Sequence, residues 1–218
     1  MHIYDEMKEL ARNKRAEHNI TTQGLDLNVV RRIYAAEKVK IDNWSFGPKI
    51  RAVYMCDDGF ASVAVNSKLP REPRLFSLVH ELKHHYLDVP LIQGGQYKCG
   101  DYNANEKIEK AAEVFAAEFI YPEPEFLECV SSLGIAPSSC TPEDVVHLKR
   151  TCGACVSYQF LRKRLVRLGF ADAATFTGVK FQNLEEEMFG IPIYQKAWFK
   201  ARRAAKKAAS NIDDVSSF

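Results

Sequence analysis

The sequence predicts an α+β fold: a small β-sheet with packed helices, followed by a mainly helical C-terminal region. Three observations carry this expectation. Residues 49–55 and 60–66 are strand-like runs joined through Asp57-Asp58-Gly59, a turn of the type that favours a hairpin. Two segments with apolar residues at spacings of three and four follow, at 75–86 and 108–120. Residues 142–170 then read as two more helices joined by a short Gly-containing turn, the second one basic.

Taken in order, residues 1–18 read as a charged amphipathic helix. A second helix, 26–38, begins after Gly24 and carries Leu27, Val30, Ile33 and Tyr34 on its apolar face. The hairpin comes next, and an exposed strand edge beside a cleft can bind an extended peptide by strand addition; the run 60–66 is expected to supply that edge. In the third helix Leu75, Phe76, Val79, Leu82 and Tyr86 make an apolar stripe. Pro73 sits near its start, where a missing N–H costs least, and Asp88 and Pro90 close it. The loop 90–105, with Gly94, Gly95 and Gly100, is long and glycine-rich enough to act as a mobile flap. The helix 105–121 places Ile108, Ala111, Ala112, Phe115, Ala116, Phe119 and Ile120 on its apolar side, and Pro122 ends it.

The chemistry sits in His80-Glu81-Leu82-Lys83-His84 on the third helix. Histidines four residues apart share one helix face, so both imidazoles can reach one zinc ion while Glu81 stays close enough to act as general base on a water. Zinc in a hydrolytic site takes three protein ligands and leaves the fourth position open, so a further ligand should come from a second element. The helix 105–121 offers Glu106, Glu109, Glu113 and Glu118. Glu109 and Glu113 lie one turn apart beside the small residues Ala112 and Ala116, which allow close helix packing. Glu109 is therefore the expected third ligand, and Glu113 the expected acceptor that orients a ligating imidazole. Glu106 and Glu118 read as a solvated face. Tyr86, His85, Tyr102, Tyr121 and His147 are candidate donors to a developing oxyanion, a role left unassigned.

The run 76–84, Phe-Ser-Leu-Val-His-Glu-Leu-Lys-His, together with 109–122, Glu-Lys-Ala-Ala-Glu-Val-Phe-Ala-Ala-Glu-Phe-Ile-Tyr-Pro, resembles the ImmA/IrrE family of metallopeptidases. The resemblance covers roughly residues 25–170. It implies a zincin-like catalytic domain with Glu109 as the third zinc ligand, and a protein substrate, commonly a phage-type repressor whose cleavage switches on genes. With no evident DNA-binding segment before the peptidase motifs, that repressor would be separately encoded. Two departures stand out. Lys83 occupies a position usually held by Gly, where a long cation beside the cleft would alter which substrates enter. Glu113 replaces the Asn common in relatives and adds negative charge near the metal.

A chain of 218 residues can bury a real core. The reading divides it into an N-terminal helix (1–24), a zincin-like catalytic domain (25–128), a helix-turn-helix-like region (129–172) and a C-terminal extension (173–218) with a basic tail. Thirty basic residues oppose 28 acidic ones, so overall charge gives no argument for nucleic acid. Basic residues at Arg162, Lys163 and Arg164 support a second reading, a DNA-binding or stress-response regulator with a sensory or vestigial zinc centre. The tail, with Lys196, Lys200, Arg202, Arg203, Lys206 and Lys207, could form a basic helix that frays. No apolar stretch is long enough to span a membrane, and Asp5, Glu6 and Glu9 stand where a secretory signal would be basic and then apolar, so a cytoplasmic location is expected. The six cysteines would then be reduced thiols, Cys152 and Cys155 included.

Overall fold

The computed structural model describes residues 3–57, 59–95 and 105–191. It is α+β, with one small sheet and a predominantly helical C-terminal part. Helix α1 (Ile3–Glu17) is followed by α2 (Leu27–Ala36), whose first amides are capped by Asp26: its Oδ1 accepts from Asn28 N at 2.8 Å and Val29 N at 2.9 Å. Lys38 then adopts φ 58° and turns the chain directly into β1 (Val39–Trp44). The hairpin strands are β2 (Ala52–Asp57) and β3 (Phe60–Asn66), closed by Gly59 at φ 81°, a left-handed conformation that glycine adopts without strain. The sheet order is β1-β3-β2, with β1 parallel and β2 antiparallel to β3.

This topology corrects two sequence expectations. Strand β1 was not anticipated, and its presence makes β3 the central strand, buried from Val63 to Asn66. The run 60–66 therefore cannot offer a free edge. The edges belong to β1 and β2, and β2 is the one that meets the helix carrying the histidines.

That helix, α3 (Arg71–Lys83), packs on the sheet, on α2 and on α5 (Glu106–Ile120). Buried Tyr34 donates its hydroxyl to the Leu78 carbonyl at 2.7 Å and ties α2 to α3 without leaving a polar atom unpaired in the core. Between α3 and α5, the side chains of Leu75, Leu78, Leu82, Phe115 and Phe119 are almost fully buried. Helix α1 lies against the other side of α5. Beyond α5 come α6 (Glu123–Ser132), α7 (Pro142–Thr151), α8 (Tyr158–Arg167), a 3₁₀ turn at Ala173–Phe176 and α9 (Phe181–Phe189). Thr141 and Asp144 form a reciprocal capping box on α7, and Ser157 caps α8. One hydrophobic core runs from Met7 to Phe181. Among the described residues, no helix is long and apolar enough to cross a membrane. The basic tail and most of the expected flap lie outside the described residues.

Candidate metal centre

His80 and His84 project from one face of α3 and its continuation, and Glu109 enters from the first turn of α5. His80 Nε2 lies 3.2 Å from His84 Nε2 and 3.1 Å from Glu109 Oε2, and His84 Nε2 lies 3.9 Å from Glu109 Oε1. Ligand atoms around a tetrahedral zinc ion, with bonds of about 2.0–2.1 Å, stand about 3.3 Å apart. Two imidazole nitrogens and a carboxylate at these separations therefore fit zinc in both donor type and spacing. The three side chains singled out as ligands are brought together.

The helix does not close at Asp88. It widens into a π turn at His84–Asp88 and runs on as α4 (Val89–Gln93), with Pro90 in the first turn, where no backbone N–H is needed. The widened turn sets Asp88 beside His84, whose Nδ1–H donates to Asp88 Oδ2 at 2.7 Å. A carboxylate only accepts, so this bond leaves His84 Nε2 as the nitrogen that carries the lone pair, facing His80 and Glu109. Lys83 Nζ donates to the same Oδ2 at 2.7 Å. Burial works against the charged form of Asp88, but the hydrogen bonds and charges of His84 and Lys83 outweigh it and hold the carboxyl below its ordinary value. Lys83 is thus not a cation beside the cleft: it is 3% exposed and turned into the protein against Asp88 and, at 3.5 Å, the Ile108 carbonyl.

Glu81 is buried and lines the same cleft as His80 and Glu109. Its Oε2 accepts the Tyr54 backbone N–H of β2 at 3.0 Å, so the sheet edge fixes the carboxylate's direction. Glu113 stands in the cleft wall, 3.9 Å from Lys163. The orienting acceptor found for His84 is Asp88, whereas Glu113 acts on His80 through its charge. At His80, burial favours the neutral ring, but the hydrogen bond to Glu109 and the negative charges of Glu81, Glu109 and Glu113 raise its pKa above the ordinary value. The cleft encloses about 430 Å³ and is bounded on the sheet side by the segment from Lys49 to Val53.

The other acidic residues of α5 divide. Glu106 is exposed and pairs with Lys110, as a solvated face should. Glu118, expected on that face too, is 1% exposed and held by Arg12 at 2.9 Å and Arg164 at 3.2 Å. Of the candidate oxyanion donors, His85 is engaged with the Tyr54 hydroxyl at 2.9 Å, Tyr121 lies in the core and His147 packs against Phe189, while Tyr86 packs against the Phe115 ring with its buried hydroxyl unpaired among the described residues. Tyr102 lies outside the described residues. Arg164 on the basic helix is buried and donates to the Ala117 and Tyr121 carbonyls, and Arg162 stacks over Phe176 and Phe181. Two of the three cations read as phosphate contacts, Arg162 and Arg164, are thus turned against the protein, while Lys163 is exposed. Cys129, Cys140, Cys152 and Cys155 are free thiols, and burial pushes Cys140 up to about 12 and raises Cys152 and Cys155 as well.

Asp88 is the functional residue that sequence reasoning missed. Its signal was present, since Asp88 follows His84 by four residues, but the same residue was read as a helix stop.

In comparison with known families, residues 26–135 match the IrrE N-terminal-like domain. The matched span starts at the Asp26 cap and includes all of α3 and α5, hence every residue of the centre described above. A search of the curated proteins finds no match.

Proposed function

Because the chain belongs to the peptidase family of the IrrE N-terminal-like domain, we propose that it is a zinc-dependent endopeptidase acting on a protein substrate, with His80, His84 and Glu109 as ligands and Glu81 as general base. The observation that supports this reading most is the convergence of two imidazoles and a carboxylate beside a buried glutamate at the wall of an open cleft. Zinc held there would lower the pKa of a water to about 7 and polarise a carbonyl.

The protein's own groups do the rest. His80, His84 and Glu109 hold the ion, and Asp88 keeps His84 in the tautomer that presents Nε2. Glu81, aimed by the Tyr54 N–H, takes a proton from the attacking water and returns it to the departing amine. The substrate backbone lies along the approach to edge strand β2, where residues 49–53 border the cleft. From the family we take the substrate to be a separately encoded phage-type repressor, so that cleavage acts as regulation.

The test combines elemental analysis with cleavage of a peptide library. Wild type should carry near-stoichiometric zinc and cut. His80→Ala and Glu109→Ala should lose the metal. Glu81→Gln should keep zinc and lose cleavage by about 10²–10⁴-fold. Zinc retained without Glu109, or full activity without Glu81, would overturn these assignments.

A further inference from the structure

A second cavity of about 360 Å³ opens beside the metal cleft, between α3, α5 and α8. The two are continuous: Arg51, Phe76, Glu113, Gln159 and Lys163 line both. Phe76, Val114, Ala117 and Phe160 give the second cavity its apolar surface, and the Phe76 and Phe160 rings meet edge to face with centroids 6.3 Å apart.

The charges around this cavity are unevenly matched. Deep inside it, Glu118 is held by Arg12 and Arg164, and Glu123 by Lys8 at 2.8 Å with Arg167 at 3.9 Å. All of these groups are engaged in ion pairs, with four bases around two acids, and the apolar walls are the surface left for an entering side chain. At the wall shared with the metal cleft, Lys163 stands 3.9 Å from Glu113. Arg51, exposed at the same wall, has no ion pair among the described residues. The junction between the cavities therefore carries a positive charge with no ion pair among the described residues, next to the apolar walls of the second cavity and within the same groove as Glu81.

We propose that this cavity is the enzyme's principal side-chain subsite: it takes a large apolar substrate side chain, and Arg51 at its mouth pairs with an acidic residue beside that side chain. The inference rests on the peptidase reading and adds a substrate class to it, a segment in which a bulky apolar residue neighbours Asp or Glu. An apolar side chain matches the walls, and a carboxylate next to it would meet the guanidinium as it enters the cleft.

The experiment uses the full-length, zinc-loaded protein on a proteome-derived peptide library, with cleavage sites mapped by mass spectrometry. Wild type should show one subsite enriched in large apolar residues with an acidic neighbour. Ala117→Phe, which projects a ring into the cavity, should reduce kcat/KM on those peptides by about 10-fold or more and flatten the apolar preference. Arg51→Glu alters an exposed residue and should reverse the neighbour preference from acidic to basic, a change of about two- to five-fold for a rim charge, while the apolar preference stays. Cleavage by wild type without this enrichment, or enrichment unaltered by both substitutions at equal zinc content, overturns the subsite alone. If wild type cuts nothing, as Glu81→Gln does, the peptidase reading falls and the subsite with it.

Discussion

Replacing Asp88 with alanine should separate two tasks that one carboxylate performs. Asp88 Oδ2 receives His84 Nδ1 and Lys83 Nζ, each at 2.7 Å, in surroundings where the Asp88 and Lys83 side chains are 6% and 4% exposed. Loss of an outer hydrogen-bond partner of a ligating histidine weakens metal binding by about 10–100-fold, equivalent to about 1.4–2.7 kcal/mol. Asp88→Ala also strands the Lys83 ammonium in the interior, and breaking a buried ion pair from one side costs about 3–5 kcal/mol. The double variant Lys83→Met/Asp88→Ala removes that stranded charge. It should regain most of the stability of the metal-free protein but none of the zinc affinity. Urea unfolding of the metal-free protein and zinc competition against a chromophoric chelator measure the two quantities independently. Wild-type zinc affinity in Asp88→Ala would refute the orienting role, and equal stability of the single and double variants would refute the ion pair.

Four further outcomes are expected. Phe119 is fully buried with its ring 5.6 Å from that of Phe115, so Phe119→Ala should destabilise the protein by about 3–5 kcal/mol in urea unfolding. Chelation should lower the melting temperature by about 5–10 °C relative to protein held at a free zinc concentration about 100-fold above Kd, measured calorimetrically. In metal-free protein the raised pKa of His80 means the folded state binds that proton more tightly than the unfolded chain. The contribution is complete below the unfolded value of about 6.5 and is lost as pH rises through the raised folded value, so metal-free stability should fall as pH rises above about 6.5, relative to His80→Gln. Zinc affinity should rise over the same interval as the competing proton leaves.

The grouping of His80, His84 and Glu109 was legible because helical spacing alone puts His80 and His84 on one face, and because the apolar pattern of α5 leaves few carboxylates able to turn toward them. Glu118 shows where such patterning stops working. Its burial depends on Arg12 and Arg164, which lie far away in sequence, and no local periodicity encodes a long-range partner. Strand β1 was missed because Val39 and Ile41 are its only aliphatic residues, interleaved with Lys40 and Asp42, and an edge strand this polar gives a weak alternation signal. Its absence from the reading moved the free edge to the wrong strand. The π turn was missed for another reason: Asp88 and Pro90 are ordinary helix-stopping residues, and only the hydrogen bonds from His84 and Lys83 show that the helix instead widens around them.

Helix α5 carries Glu109 at its front, and its rear is held from outside. Arg15 of α1 donates to the Phe119 carbonyl at 2.6 Å, and Arg164 of α8 reaches the carbonyls of Ala117 and Tyr121. These carbonyls lie at the C-terminal end of α5, where helical acceptors run out of backbone partners, although Ala117 also accepts the Tyr121 N–H, and the guanidiniums oppose the negative end of the helix dipole. Residues 15 and 164 flank the matched span 26–135 on either side. The matched span and the hydrophobic core, which runs from Met7 to Phe181, therefore have different bounds. A fragment trimmed to the matched span would retain His80, His84 and Glu109 yet strip the far end of α5 of the guanidiniums that bond its carbonyls and pair with Glu118, so dissection of this protein has to follow its arginines and not the bounds of the match.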